Sequence, residues 1–228
     1  MRTKTLLLSG VVAALSSASL MAQVYSLNAV GYINVTCPPG FSIIANQLNT
    51  GNNVITNLIQ VDPAGSMDGD TIYKVTAGHY SSLIADSFNP PYYWDGADPT
   101  LTTLNPGEGA FFLNVAATNI TFTFVGTVLQ GSLTNTLANG FNLVSSLVPQ
   151  GGNVFSDLGV NLDTTGASDG DTVYIMNSGH YASSIVDSYS GPSYLDGNQS
   201  PVVTVGQGFF YLRENASMIQ WVRTFNVN

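Results

Sequence analysis

Two short words recur in this sequence with side chains that can do chemistry. Asp68-Gly69-Asp70 returns as Asp169-Gly170-Asp171, and Gly78-His79-Tyr80 returns as Gly179-His180-Tyr181. With Asp86 and Asp95 in one copy and Asp187 and Asp196 in the other, each copy holds four carboxylates in corresponding places. Calcium takes several oxygen ligands, and Asp-Gly-Asp in a tight loop can supply two of them. The EF-hand pattern is absent, since no run of alternating Asp or Asn before a Gly closes on a Glu. The competing reading makes each Asp-Gly a hairpin turn, Gly taking positive φ and Asp bonding the backbone. Two carboxylates can also serve as acid and base in glycoside hydrolysis, but no pattern here selects a pair.

A catalytic histidine needs a nucleophile and an orienting acid. Ser81 and Ser82 follow His79, and Ser183 and Ser184 follow His180. Yet no Gly-x-Ser-x-Gly elbow and no His-Glu-x-x-His zinc motif occurs. The histidines read instead as strand-start residues bonding a turn. Aromatic residues gather at Tyr92-Tyr93-Trp94, with Tyr194 in the second copy. A ring beside carboxylates and amides can stack on a sugar, so these four are the candidate ligand platform; the alternative use is to cover a core. No phosphate loop or dinucleotide motif is present.

The surrounding chain limits the partners. Met1–Lys4 is short and basic, an apolar run follows from Leu6 to Leu15, and small residues lead to Ala22. That order is a secretory signal, so residues 1–22 are expected to be removed, leaving an exported protein with no transmembrane span. The remainder keeps Lys74, Arg213 and Arg223 against 14 carboxylates. So acidic a chain repels phosphate backbones, which argues against nucleic acid. Only 8% of residues are charged, where about a quarter is usual. Asn, Thr, Ser and Gly carry the polarity, a mix that suits short strands and turns. Cys37 is the single cysteine, so no intrachain disulfide supports the fold. It reads as a half-buried thiol before Pro38-Pro39, an intermolecular disulfide being the alternative.

The repeat is extensive. Gly40-Phe41 returns as Gly140-Phe141, Asp86-Ser87 as Asp187-Ser188, Asp95-Gly96 as Asp196-Gly197, and Phe111-Phe112-Leu113 as Phe210-Tyr211-Leu212. The order is kept and the offset drifts by only a residue or two, so the chain contains an internal duplication. Within a copy, Thr71–Thr76, Ala110–Val115 and Asn119–Val125 read as strands, the last with Ile120, Phe122 and Phe124 on one face. Val54–Val61 and Val154–Val160 are the only helical candidates. The expectation is an all-β protein of two tandem homologous sandwich- or barrel-like units, each with at most one short helix. The first spans 23–129, a Gly-, Ser- and Thr-rich connector spans 130–139, and the second spans 140–228. One barrel built from both copies is the alternative. Val24–Thr36 is expected to lead the first unit as a strand paired in cis, as Phe124–Val128 would lead the second; pairing with a neighbouring chain is the other outcome.

Val24 to Tyr32, Pro38 to Asn46, Asp68 to Lys74 and Pro106 to Gly126 carry the words Val-Tyr-Ser-x-Asn-x-Val-Gly-Tyr, Pro-x-Gly-Phe-x-Ile-x-Ala-Asn, Asp-Gly-x-x-Ile-Tyr-Lys and Pro-Gly-Glu-Gly-x-Phe-Phe-Leu. Together they resemble a family of exported, internally duplicated β-rich proteins of environmental Gram-negative bacteria. The resemblance covers most of the chain after the signal, with Gln207 in the second copy where the first has Glu108. It implies export and β-structure, and no chemistry. The reading is a non-enzymatic secreted, periplasmic or cell-surface protein, structural or adhesive, acting through self-association or other surface proteins. A pair of carbohydrate-binding modules is the alternative, and a secreted hydrolase a second.

Overall fold

A computed structural model of the chain describes residues 29–76, 79–88, 93–100, 102–160, 168–187, 194–197 and 200–227. The expected signal, residues 1–22, lies outside them. The first half runs β1 (Val30–Cys37), β2 (Gly40–Ile44), α1 (Ile55–Leu58), β3 (Thr71–Thr76), β4 (His79–Asp86), β5 (Tyr93–Gly96), β6 (Ala110–Asn114) and β7 (Ile120–Thr127). The second runs β8 (Gly131–Leu137), β9 (Gly140–Val144), β10 (Gly152–Asn153), β11 (Thr172–Asn177), β12 (His180–Asp187), β13 (Tyr194–Gly197), β14 (Val202–Val203), β15 (Phe209–Arg213) and β16 (Ile219–Phe225). The protein is all-β, with one single-turn helix among the described residues.

Each half stacks an open five-stranded antiparallel sheet on a two-stranded ribbon. The sheets have orders β2-β6-β3-β4-β5 and β9-β15-β11-β12-β13, and the ribbons are β1-β7 and β8-β16. Open sheets set aside the single closed barrel. The first core forms where the ribbon residues Ile33, Val35, Phe122 and Phe124 meet Ile44, Ile72 and Phe112 of the sheet. Phe112 and Phe122 meet edge to face at 4.7 Å, a favoured aromatic geometry. In the second core Trp221 and Leu137 of the ribbon meet Phe209, Tyr211 and Val173.

Three expectations change. β1 pairs in cis with all of β7, Ile33 opposite Phe124, so Phe124–Val128 does not lead the second half. That place is taken by β8, inside the segment expected to be a connector. Its Ser and Thr are the exposed positions of an alternating strand, while Leu133, Asn135 and Leu137 turn inward; threonine-rich alternation reads as linker until its partner is known. Val154–Leu158 is a turn and not a helix. The Asn153 side chain accepts from the amides of Phe155 and Ser156, which closes a tight turn in place of a continuing ladder.

The two sheets also meet face to face. Period-two alternation puts Phe112 in one core and Phe111 on the opposite face, where Ile43, Phe111, Met176 and Phe210 form a third cluster. The backbones interlock beside it. Ala45 N–H donates to Gly206 O at 2.8 Å and Ser145 N–H to Gly107 O at 2.9 Å, while Gly109 N–H and Gly208 N–H donate to Leu143 O and Ile43 O. Each half therefore caps the free edge of β2 or β9 with a turn from the other, about an approximate two-fold axis. Unpaired edges invite aggregation, and this arrangement closes two of them. The approach requires glycine: a Cβ on Gly208 would lie 2.8 Å from Ile43 Cγ2 and 3.1 Å from Val144 O. We expect Gly208→Ala to lower stability by about 1–3 kcal/mol, read as a lower urea midpoint. An unchanged midpoint would show that the interlocked turns are not under close-packing constraint.

Candidate functional site

The same alternation that builds the third cluster builds the site. On the face of the first sheet away from its ribbon stand Phe41, Tyr73, Tyr80 and Phe111; on the second stand Phe141, Tyr174, Tyr181 and Phe210. Phe111 and Phe210 touch at the axis, their ring centres 5.4 Å apart. Phe41 sits edge-on to Phe111 at 6.2 Å and Phe141 edge-on to Phe210 at 5.9 Å. On either side of this central contact lie two corresponding clefts.

One cleft, of about 550 Å³, is lined by Phe41, Tyr73, Tyr80, Phe111, Met176 and Tyr181. The other, of about 420 Å³, is lined by Val75, Tyr80, Phe141, Tyr174, Tyr181 and Phe210. Tyr80 and Tyr181, from the two Gly-His-Tyr words, line both. Neither lining holds a charged side chain among the described residues. The rings are open to solvent: Tyr80 is 65% exposed, Phe141 61%, Tyr181 49% and Phe41 44%. Burial, and beside it Tyr80, raises the Tyr181 phenol above its ordinary value. The site can hold apolar or amphipathic side chains or a flat ligand; it offers no base, nucleophile or metal ligand.

Of the aromatics singled out from sequence, Tyr93 and Trp94 do not line these clefts. Trp94 is 2% exposed and donates its indole N–H to Ile59 O at 2.8 Å. It is a core residue and no ligand platform, which corrects that expectation: on β5 Trp94 falls on the inward phase and Tyr93 on the outward one. Tyr93 next to it is exposed, and Asp86, aided by Asp95, raises its phenol. Tyr92 and the side chain of Tyr194 lie outside the described residues.

The aspartates disperse into local work. Asp68 accepts from Ser87 N–H at 3.1 Å, Asp86 from Phe88 N–H at 3.0 Å and Asp95 from Gly96 N–H at 2.8 Å. Asp95 and Asp196 are exposed on edge strands, and Asp187 ends β12 half-buried. Asp169 lies in the turn before β11. Asp70 and Asp171 are fully buried. Among the described residues no three His, Cys, Asp or Glu side chains converge; Asp68, Asp86 and Asp95 accept from backbone N–H groups at turns and strand ends, while Asp70 and Asp171 are buried acceptors. His79 and His180 open β4 and β12 and are exposed. Cys37 is fully buried, not half-buried, and burial pushes its thiol up to about 12; an intermolecular disulfide has no exposed sulfur to use in the folded chain.

A third opening, a polar groove of about 610 Å³, lies beside α1 and β7, with Asn57, Gln60, Asn119 and Thr121 among its lining. Comparison with protein-family models, with curated proteins and with solved structures finds no match. The site is therefore read from its own geometry. The sequence holds one trace of a doubly covered sheet, Ala110-Phe111-Phe112-Leu113, apolar on both strand faces, but nothing that says which rings converge. We expect Trp94→Ala to cost about 3–5 kcal/mol and Tyr93→Ala to stay within about 0.5 kcal/mol, compared by urea unfolding. Equal effects would place Trp94 outside the core.

Proposed function

We propose that this chain is an exported, non-enzymatic protein of the cell surface, periplasm or extracellular space that acts through protein contacts made by the twin aromatic cleft. The carrying observation is the set of exposed rings arranged about an approximate two-fold axis with no charge in the lining. Interface cores are rich in Tyr, Phe and Met and poor in charged residues, and a contiguous exposed apolar patch of this kind marks a contact site. Self-association is the form of contact to test first. A two-fold interface apposes the same patch on both subunits, and a patch with its own approximate two-fold meets itself without mismatched ends. No described helix is long and apolar enough to cross a membrane.

A carbohydrate-binding role is the second reading, favoured by the groove beside α1, where exposed amides and hydroxyls suit a sugar's edge. A hydrolase has the least support: among the described residues the twin cleft is lined by no nucleophile or base, and in the groove Ser66 donates to Asp62 with no histidine in the lining.

Light scattering across protein concentration, with calcium and with chelator, tests the proposal. We expect concentration-dependent assembly that Tyr80→Ser with Tyr181→Ser weakens, each central ring costing about 2 kcal/mol or roughly thirtyfold in affinity. Tyr93→Ser is expected to change nothing. A strict monomer that binds neither cells nor envelope material would overturn the protein-contact reading. Glycan-array binding lost with Asn119→Ala and kept in the double tyrosine variant would establish the carbohydrate reading in its place.

A further inference from the structure

The two halves treat one buried carboxylate differently. In the second half Asp171 is fully satisfied. Its Oδ1 accepts from Glu214 N–H at 2.9 Å, and its Oδ2 accepts from Tyr211 at 2.7 Å and from Arg213 Nη1 at 2.6 Å. In the first half Asp70 occupies the corresponding place, and its Oδ1 accepts from Val115 N–H at 2.8 Å. The groups that served Oδ2 are gone. Phe112 stands for Tyr211 and Asn114 for Arg213, as the pairing of β6 and β15 with β3 and β11 aligns them. Asn114 spends its amide N–H groups on Cys37 O and Thr118 O. Asp70 is 0% exposed, and its Oδ2 is buried without a hydrogen-bond partner.

Elsewhere one ion pair, of buried Lys74 with partly exposed Glu108, is exchanged as a unit. Lys74 pairs with Glu108 at 3.1 Å, and the second half carries Ile175 and Gln207 in those places. Asp70 has lost its cation and kept its carboxyl. The cations of the described residues are engaged elsewhere: Lys74 with Glu108, Arg213 with Asp171, and Arg223 with Gln150 and the carbonyl of Asp157. The groups that act on Asp70 are the Val115 amide, Asp68 of the preceding turn and the Cys37 thiol of β1, and none of them is a cation. A buried carboxylate with no cation is relieved by holding a proton.

We propose that Asp70 is a proton-operated latch on the first half, folded in as the neutral carboxylic acid, so that loss of its proton loosens the first half while the ion-paired second half holds. Burial first, and Asp68 beside it, keep the Asp70 carboxyl above the ordinary carboxylate range against the pull of the Val115 amide. The sign follows. The native state binds a proton that the opened state releases, so stability is complete below the ordinary carboxylate range. It falls as pH rises, by up to about tenfold in the closed-to-open ratio per pH unit, until the native-state value is passed. Cys37, buried in the same first core and within electrostatic reach of Asp70, reports its opening.

The test is the rate at which a neutral disulfide reagent labels Cys37 in the full chain between about pH 5 and about pH 8. Dividing by the rate for the urea-unfolded chain removes the chemistry of the thiol itself. The native protein is expected to label with a normalised rate that climbs with pH. Asp70→Asn is expected to flatten that climb and label at least tenfold more slowly at the alkaline end. A second variant, Phe112→Tyr with Asn114→Arg, rebuilds the partners of Asp171 around Asp70 and is expected to flatten it too. The same pH slope in the native chain and Asp70→Asn overturns the latch. Should Asp70→Asn not fold, an unaltered slope in the rebuilt variant overturns it, as does an Asp70 carboxyl carbon titrating within the ordinary carboxylate range by NMR.

Discussion

The contact of Phe111 with Phe210 is the constraint on which the rest of the molecule turns. Two sheets, each already covered on one face by a two-stranded ribbon, bring their remaining faces together there. Rings at 5.4 Å go with backbones so close that a side chain on Gly208 would clash with Ile43 and one on Gly109 would press on Leu143. That closeness is what lets turns of one half hydrogen-bond the edge strand of the other. Apolar burial and edge protection are thus a single solution: the same strands that exclude water from the rings satisfy backbone groups that would otherwise face solvent.

The open rings follow from the same geometry. Twisted sheets in face contact touch over a limited patch and part on either side of it. Phe41, Tyr80, Phe141 and Tyr181 extend the apolar face past the region the opposite sheet can cover. The interior of each half obeys a different rule. Charges there are admitted as sets, Asp171 with Arg213 and Tyr211, Lys74 with Glu108, or replaced together by uncharged residues. Glu108 and Gln207 show how a structural task survives such an exchange, since each side chain accepts from the backbone N–H three residues earlier, Asn105 and Thr204. Asp70 departs from that pattern, one of its carboxylate oxygens being buried without a partner.

The all-β class was legible because alternation and turn glycines are local properties. Ile120, Phe122 and Phe124 declare their face without any partner. The candidate site was not. Tyr92-Tyr93-Trp94 looks like a platform because aromatics cluster in sequence, but consecutive strand residues point to opposite faces, and Trp94 falls inward. The effective rings, Phe41, Tyr73, Tyr80 and Phe111 with their counterparts, are spread over four strands per half, and nothing local joins them. The threonine-rich stretch at 131–137 looked like a connector for a related reason: a strand's identity rests on the partner it finds, and β16 lies some 80 residues away.

What the sequence by itself determined is therefore what short-range chemistry determines: strands, turns, the repeat, an acidic and charge-poor chain, and one cysteine. Tertiary structure alone decided which face of each strand meets a ribbon and which meets the other sheet, which aspartate keeps an arginine and which is left without one, and where the exposed aromatics converge. These are questions of register and sheet packing. They depend on groups brought together from a hundred residues apart, and no local pattern encodes that distance.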